Sequence, residues 1–337
     1  MSYTNKLDYA VVIGIKHYMS LNSLEGPIND ATRFYNWLID TNGGSIPPEN
    51  CHLIPSDETV NPYSPLQHQV DSALVDIKRA GLETGFRRLY FYFSGHGIGS
   101  SWKDTGMCLP IYSNDYLNAA LSSSEYLSFF VSSDLFEEVI FFLDCCRSRK
   151  VNAMPMPPMA GWAREGGNQC LRSMTFLATD FENPARESLM VKGDVLTVTG
   201  YFTEALIEGL NGAAADPDTG NITMSTLHNY VQQRTRELAA ANNHSQEARL
   251  AIGELDNNFV IKPGVVVRPD VLIRFLQNGS YQLEDPSLNV IQSGEVAEGD
   301  TWTHSLKKGT YCILNLVTND TKYLRVDGTK NPFNYEC

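Results

Sequence analysis

Phe91-Tyr92-Phe93-Ser94-Gly95-His96-Gly97 and Val139-Ile140-Phe141-Phe142-Leu143-Asp144-Cys145-Cys146-Arg147-Ser148 are the two stretches that decide the fold. Each is an apolar, aromatic run that stops at small or reactive residues, as a buried strand does where its carboxyl end meets solvent. Open α/β sheets place their chemistry along that edge. His96 and Cys146 lie 50 positions apart, room for one crossover and a parallel neighbouring strand. A thiol and an imidazole at adjacent strand ends point to a cysteine hydrolase.

Working outward, the same pattern repeats. Residues 9–15 read as a buried strand and 29–39 as a capped amphipathic helix. A short strand at 51–54 and a helix over 66–82 precede the histidine strand. A helix around 117–131 precedes the cysteine strand, followed by a strand at 173–179 and helices over 202–210 and 225–241. Such alternation predicts an α/β fold, a mostly parallel sheet covered on both faces. Residues 147–172, with Met154-Pro155-Met156-Pro157-Pro158-Met159 and Gly166-Gly167, read as a long loop beside the site,. Near Pro263-Gly264 the pattern turns to short strands and turn pairs such as Asn278-Gly279. Two domains are expected: 1–264, and a small all-β, sandwich-like domain over 265–337 with Trp302, Tyr311 and Tyr323 in its core.

Composition narrows the function. The chain has 337 residues, 42% of them hydrophobic, and a net charge of −13. An ordinary core is affordable to such a chain, and the acidic balance repels phosphate backbones, so direct nucleic-acid binding is not expected. No apolar run of roughly 18 residues supports a membrane span. The opening residues lack a secretory apolar region, and the expected location is cytoplasmic. The seven cysteines, at 51, 108, 145, 146, 170, 312 and 337, are odd in number and contain no CxxC pair. Neither a disulfide framework nor a zinc site is indicated, so they read as free thiols.

A neighbouring imidazole can take a proton from a cysteine, making His96 and Cys146 a candidate nucleophile and acid–base pair. The amides of Gly97 and Cys146 are candidate donors to an oxyanion. Cys145 competes for the nucleophile's place. Side chains alternate along a strand, so only one of the two faces the cleft, and periodicity does not decide which. Asn29 or Asp30 also reads as the cap of the helix that follows.

Ser94-Gly95-His96-Gly97 and Asp144-Cys145-Cys146-Arg147-Ser148 together resemble the histidine and cysteine motifs of caspase-like peptidases, family C14, most nearly the metacaspase and orthocaspase branch. Leu24-Glu25-Gly26-Pro27-Ile28-Asn29-Asp30-Ala31 and Gly200-Tyr201-Phe202-Thr203-Glu204-Ala205-Leu206 extend the similarity, which covers about 7–264,. The resemblance implies a three-layer α/β/α sandwich, Cys146 as nucleophile, and Asp30, Ser94 and Asp144 lining a pocket for the side chain before the scissile bond. Paired carboxylates there would select arginine or lysine. The function implied is a cysteine endopeptidase in regulated proteolysis, in defence or cell death, with a non-catalytic scaffold as the alternative.

The chain departs from the branch in having Arg147 where histidine is usual and Arg149 where glycine is frequent. Many relatives use calcium, yet Asp104, Asp115 and Glu125 are scattered acids without a cage, so no metal or other cofactor is expected. Arg149, Lys150, Arg164 and Arg172 are candidate self-cleavage positions. The β-rich tail leaves three roles open: sensing a signal through an activating protein partner, binding substrate, or stabilising the enzyme.

Overall fold

The structure is a computed structural model that describes residues 3–56, 61–150, 152–161, 172–192, 195–216, 219–252, 259–264, 270–307, 309–327 and 333–337. In chain order its first half holds β1 (Asp8–Gly14), α1 (Pro27–Ile39), β2 (Cys51–Pro55), α2 (Gln67–Thr84), β3 (Arg88–Gly95), β4 (Gly97–Gly99), β5 (Thr105–Cys108), β6 (Ala120–Ser122), α3 (Ser123–Ser132), β7 (Glu138–Cys145) and β8 (Ser148–Arg149). Then follow β9 (Arg172–Leu177), β10 (Glu187–Lys192), β11 (Val195–Gly200), α4 (Tyr201–Glu208), β12 (Ile222–Thr223), α5 (Met224–Ala241), β13 (Arg249–Ile252) and β14 (Val260–Lys262). The chain divides into two compact units, Met1–Glu208 with His228–Phe259, and Gly209–Leu227 with Val260–Cys337.

The first unit is built on a six-stranded sheet in the order β13-β9-β7-β3-β1-β2. All neighbours are parallel except β13, which runs antiparallel to β9. The apolar runs become its central strands because both faces are covered: every residue of β1, β3 and β7 is buried,. Alternation sorts their side chains. Val11, Phe91, Phe141, Leu143 and Cys145 share a core with Leu74 and Ile77 of α2 and Tyr126 and Phe130 of α3. On the opposite face Phe34 of α1 stacks on Tyr92, centroids 4.7 Å apart, and meets Phe142 edge-on at 5.4 Å. Burying an aromatic ring of this kind contributes about 2–3 kcal/mol. The period-2 rule therefore sends Ser94 and Asp144 to the α1 face and Cys145 to the α2–α3 face.

At the amino edge of the sheet, buried acids are matched by arginines. Asp8 pairs with Arg87 at 2.5 Å, and Glu138 with Arg88 at 2.5 Å and Arg172 at 2.7 Å. A helix expected over 117–131 starts only at Ser123, because Ala120–Ser122 pairs with β5 instead. Ser122 then caps it, its hydroxyl accepting from the Glu125 amide,. Of the 147–172 loop, residues 152–161 are tied down: Gln67 donates to the Pro157 carbonyl and Asp71 accepts from the Met159 amide. Arg164 and Cys170 lie outside the described residues.

The second unit adds β15 (Asp270–Arg274), β16 (Gly279–Glu284), β17 (Val290–Val296), β18 (Thr301–Ser305), β19 (Gly309–Asn315), β20 (Thr321–Val326) and β21 (Phe333–Glu336). They form a three-stranded sheet, β18-β15-β21, and a four-stranded sheet, β17-β16-β19-β20. Trp302 and Tyr311 join its core with Phe275, Tyr281 and Leu283. Tyr323 does not: it is 70% exposed. On β20 the inward places go to Leu324 and Val326, and alternation turns Tyr323 outward,.

Candidate active site

The site lies at the carboxyl edge, where β3 and β7 run in register with Ser94 opposite Asp144 and Gly95 opposite Cys145. A cavity of about 260 Å³ opens there, lined by Asp30, Ser94, His96, Asp144, Cys146 and Glu187 among others. The two cysteines both border the cavity but differ in exposure. Cys145 is 2% exposed with its sulfur in the sheet core, while Cys146, just past the strand, is half-buried at the cavity.

The imidazole is held on two sides. The backbone N–H of His96 donates to the Tyr18 hydroxyl at 2.7 Å, and the Tyr18 ring lies edge-on to it, centroids 4.7 Å apart. His96 Nε2 is 2.7 Å from the Asn22 carbonyl oxygen. A carbonyl only accepts, so Nε2 carries the proton and Nδ1 keeps the lone pair that can act as base. The glycine at 97 is a steric requirement: a Cβ there would stand 2.4 Å from the Cys146 carbonyl oxygen and 2.6 Å from the Cys145 sulfur. Gly97 and Cys146, the two candidate oxyanion donors, are thereby brought together.

Tyr18 carries no motif, yet its hydroxyl spans the His96 amide and the Cys108 carbonyl, 3.4 Å away. Tyr18→Phe would leave a half-buried amide without its acceptor, which costs about 1 kcal/mol,. The variant is expected to unfold at correspondingly lower urea and to lose roughly tenfold in kcat through a loosened imidazole, measured by denaturation and steady-state kinetics.

The Cys146 sulfur accepts from the Ala185 amide at 3.3 Å and donates to the Ala185 carbonyl at 3.5 Å. Burial pushes its pKa up, opposed by the Ala185 amide, so the resting group is a thiol. Arg147, the departure from the branch pattern, is 3% exposed. Its guanidinium donates to Thr105 Oγ1 at 3.0 Å and the Trp102 carbonyl at 2.7 Å, and lies 5.5 Å from the Phe181 ring centroid. It props the strand end and the 180–183 turn rather than entering the cavity.

Asp30 sits in the first turn of α1 but does not cap it. The N-cap is Gly26, without a side-chain cap, and Pro27 opens the helix. The Asp30 carboxyl, 1% exposed, instead accepts from the Thr199 hydroxyl and from the Gly200 amide at 3.0 Å. Asp144 Oδ2 accepts from the Thr203 hydroxyl at 2.6 Å and amide at 3.1 Å, and the Tyr92 hydroxyl is 2.5 Å from Thr203 Oγ1. A Cβ on Gly200 would stand 2.3 Å from Asp144 Oδ2, so only glycine lets β11 pass between the two acids,. Ser94, 2% exposed, hydrogen-bonds Tyr92 on the same face.

Burial raises both carboxyls. Asp30 goes well above the usual range, the Asp144 charge adding to the rise while Thr199, Gly200 and Arg33 oppose it. Asp144 is pushed up to about 6, with the Thr203 donors opposing and Glu187 adding. Unlike Asp8 and Glu138, neither forms an ion pair with a described residue: Arg33, whose charge acts on Asp30, is engaged by Glu204 at 2.7 Å and Thr199 at 3.0 Å. Three contributors, Thr199, Gly200 and Glu187, come from the β10–β11 hairpin. Its sequence signal is the Gly193-Asp194 pair between the apolar run Leu189-Met190-Val191 and the β-branched run Val195-Leu196-Thr197-Val198-Thr199,.

Asp104 accepts from the hydroxyls of Ser100 at 2.6 Å and Ser122 at 2.9 Å and from the Ser124 amide at 3.1 Å, anchoring the start of α3. Among the described residues no group of three or more His, Cys, Asp or Glu is placed to hold a metal.

A sheet whose carboxyl edge presents a thiol, an imidazole and buried acids defines a hydrolase-type α/β protein. The profile of the caspase domain, peptidase family C14, matches residues 7–250, and the chain belongs to this family of peptidases. A probable protease from a Desulfuromonadales bacterium is 33% identical over 152 residues, covering 42% of this chain and 18% of that protein. The chain thus spans under a fifth of that relative. The crystal structure of caspase-1 from Spodoptera frugiperda superposes with TM-score 0.49 and 12% identity over 78% of this chain and 92% of that one. For pro-sf-caspase-1 the values are 0.44, 14%, 77% and 94%.

Proposed function

We propose that the protein is a cysteine endopeptidase that cleaves after arginine or lysine, with Cys146 as nucleophile and His96 as acid–base partner. The observation that carries the reading is the pair of buried acids, Asp30 and Asp144, which open on the same cavity as Cys146 and lack a cationic partner among the described residues. A buried carboxylate is costly until paired, and a substrate guanidinium or ammonium supplies the missing charge. An aspartate side chain would add a third repulsion.

In this reading His96 Nδ1 takes the Cys146 proton as sulfur attacks the scissile carbonyl carbon. The Gly97 and Cys146 amides stabilise the oxyanion, and His96 returns the proton to the leaving amine. Water then hydrolyses the thioester with the imidazole again as base. No step requires a metal. Residues 265–337 would hold an activating partner or substrate, in regulated proteolysis of a defence or cell-death kind, in the cytoplasm.

Fluorogenic peptides differing only at the residue before the scissile bond, assayed with calcium and with chelator, test the reading. Cleavage after Arg and Lys, with at least about a 100-fold preference over Asp, is expected in both conditions. Cleavage after Asp, or none with any peptide, would sink it and leave the scaffold alternative.

A further inference from the structure

Pro184, Ala185, Arg186 and Glu187 line the pocket and belong to none of the recognised motifs. Glu187 opens β10 on the rung directly opposite Gly200, the residue whose amide binds Asp30. Its carboxylate lies flat across the chain leading into α1, accepting from the Glu25 amide at 3.0 Å and the Gly26 amide at 2.9 Å. Glu187 Oε2 and Asp30 Oδ2 stand 2.8 and 3.2 Å from the point where a Cβ on Gly26 would be. They are therefore no more than about 6 Å apart, within strong coulombic reach. Glu187 lines the cavity with Asp30 and Asp144 and forms no ion pair with a described residue.

We infer that Glu187 is a specificity-determining residue of this pocket, a third fixed negative wall that favours a cationic side chain and rejects an acidic one. The inference rests on the proposed peptidase reading and adds to it the source of the charge. Two fixed amides hold the carboxylate in place without neutralising it, so its field persists inside the cavity. Tethering alone would matter to the pocket's shape; a charge matters to the charge of what enters it. These two roles separate experimentally.

The test compares peptides carrying arginine or citrulline before the scissile bond, equal in shape and different in charge. Glu187→Gln, which keeps an oxygen for only one of the two amides, is expected to lower the Arg-to-citrulline ratio of kcat/KM about tenfold, whatever the loss of tethering does to both peptides alike. Glu187→Met, also neutral and of like length, should do the same if the Gln protein does not fold. Glu187→Asp, which keeps the charge, should hold the ratio within about threefold of wild type. The acid limb of the pH profile on the arginine peptide should move to lower pH in the neutral variants, because Glu187 contributes to the raised Asp144 carboxyl,. Equal losses on both peptides, an unchanged ratio, or an unmoved acid limb would overturn the inference. Wild-type protein that cleaves but shows no arginine preference removes the underlying reading as well, a result distinct from a wild-type preference that survives in Glu187→Gln.

Discussion

Cys146→Ala protein is expected to lose peptide cleavage by about 10⁴-fold or more while keeping its fold, because removing the nucleophile of a covalent mechanism abolishes the acyl intermediate. Cys145→Ala is the informative partner. Cys145 shares the sheet core with Phe91, Leu143 and Leu177, and burial holds its pKa well above the ordinary thiol value. Truncation there removes one buried sulfur, costs about 1 kcal/mol, and should leave kcat within a few-fold. Stability by chemical denaturation and single-turnover cleavage of an arginine peptide check both halves. Equal loss of activity in the two variants would mean that the strand end is not where alternation places it.

Asp144→Asn is the second large effect, and it should move activity and stability in opposite directions. The amide keeps an oxygen for the Thr203 donors but removes the charge that pairs with the substrate. A loss of about 10²–10³-fold in kcat/KM on arginine peptides is expected, the scale of a buried charge pair. The stability sign follows from linkage. The folded Asp144 carboxyl sits at about 6, above its unfolded value near 4, so the folded state holds the proton more tightly and wild-type stability falls as pH rises between those values. Asparagine has no such penalty. The variant should gain about 1–2 kcal/mol over wild type at pH 7.5, a gain that shrinks as pH falls through 6 and vanishes below about 4. Thermal melts across pH read this directly; a destabilised variant at pH 7.5 would show that Asp144 is already paired.

The same pair governs activity in wild type. Cleavage after arginine should rise with pH through about 6 as Asp144 loses its proton.

The central sheet was legible because β1, β3 and β7 are apolar on both faces, a signal that survives without knowledge of neighbours. The strand-end positions of His96 and Cys146 followed from where those runs stop. What sequence could not supply was contact between distant segments. Tyr18 reaches His96 across 78 positions, Thr199 reaches Asp30 across 169, and Glu187 reaches Gly26 across 161. None of these leaves a local periodic trace. Sequence alone starts α3 too early because Ala120–Ser122 has apolar content that suits either state, and pairing with β5 decides it,. Size alone points Tyr323 inward, whereas alternation along the strand turns it outward.

Two carboxyls raised by burial hold hydrogen ions more tightly in the resting cavity than they would in water. A cation that enters lowers their affinity for those ions and expels them to the solution, so association is an exchange and not a simple addition. Calorimetric titration with an arginine-based inhibitor should give heats that vary with the ionisation enthalpy of the buffer. The slope counts the ions released, and a non-zero slope is the expected signature of the Asp30–Asp144 pair.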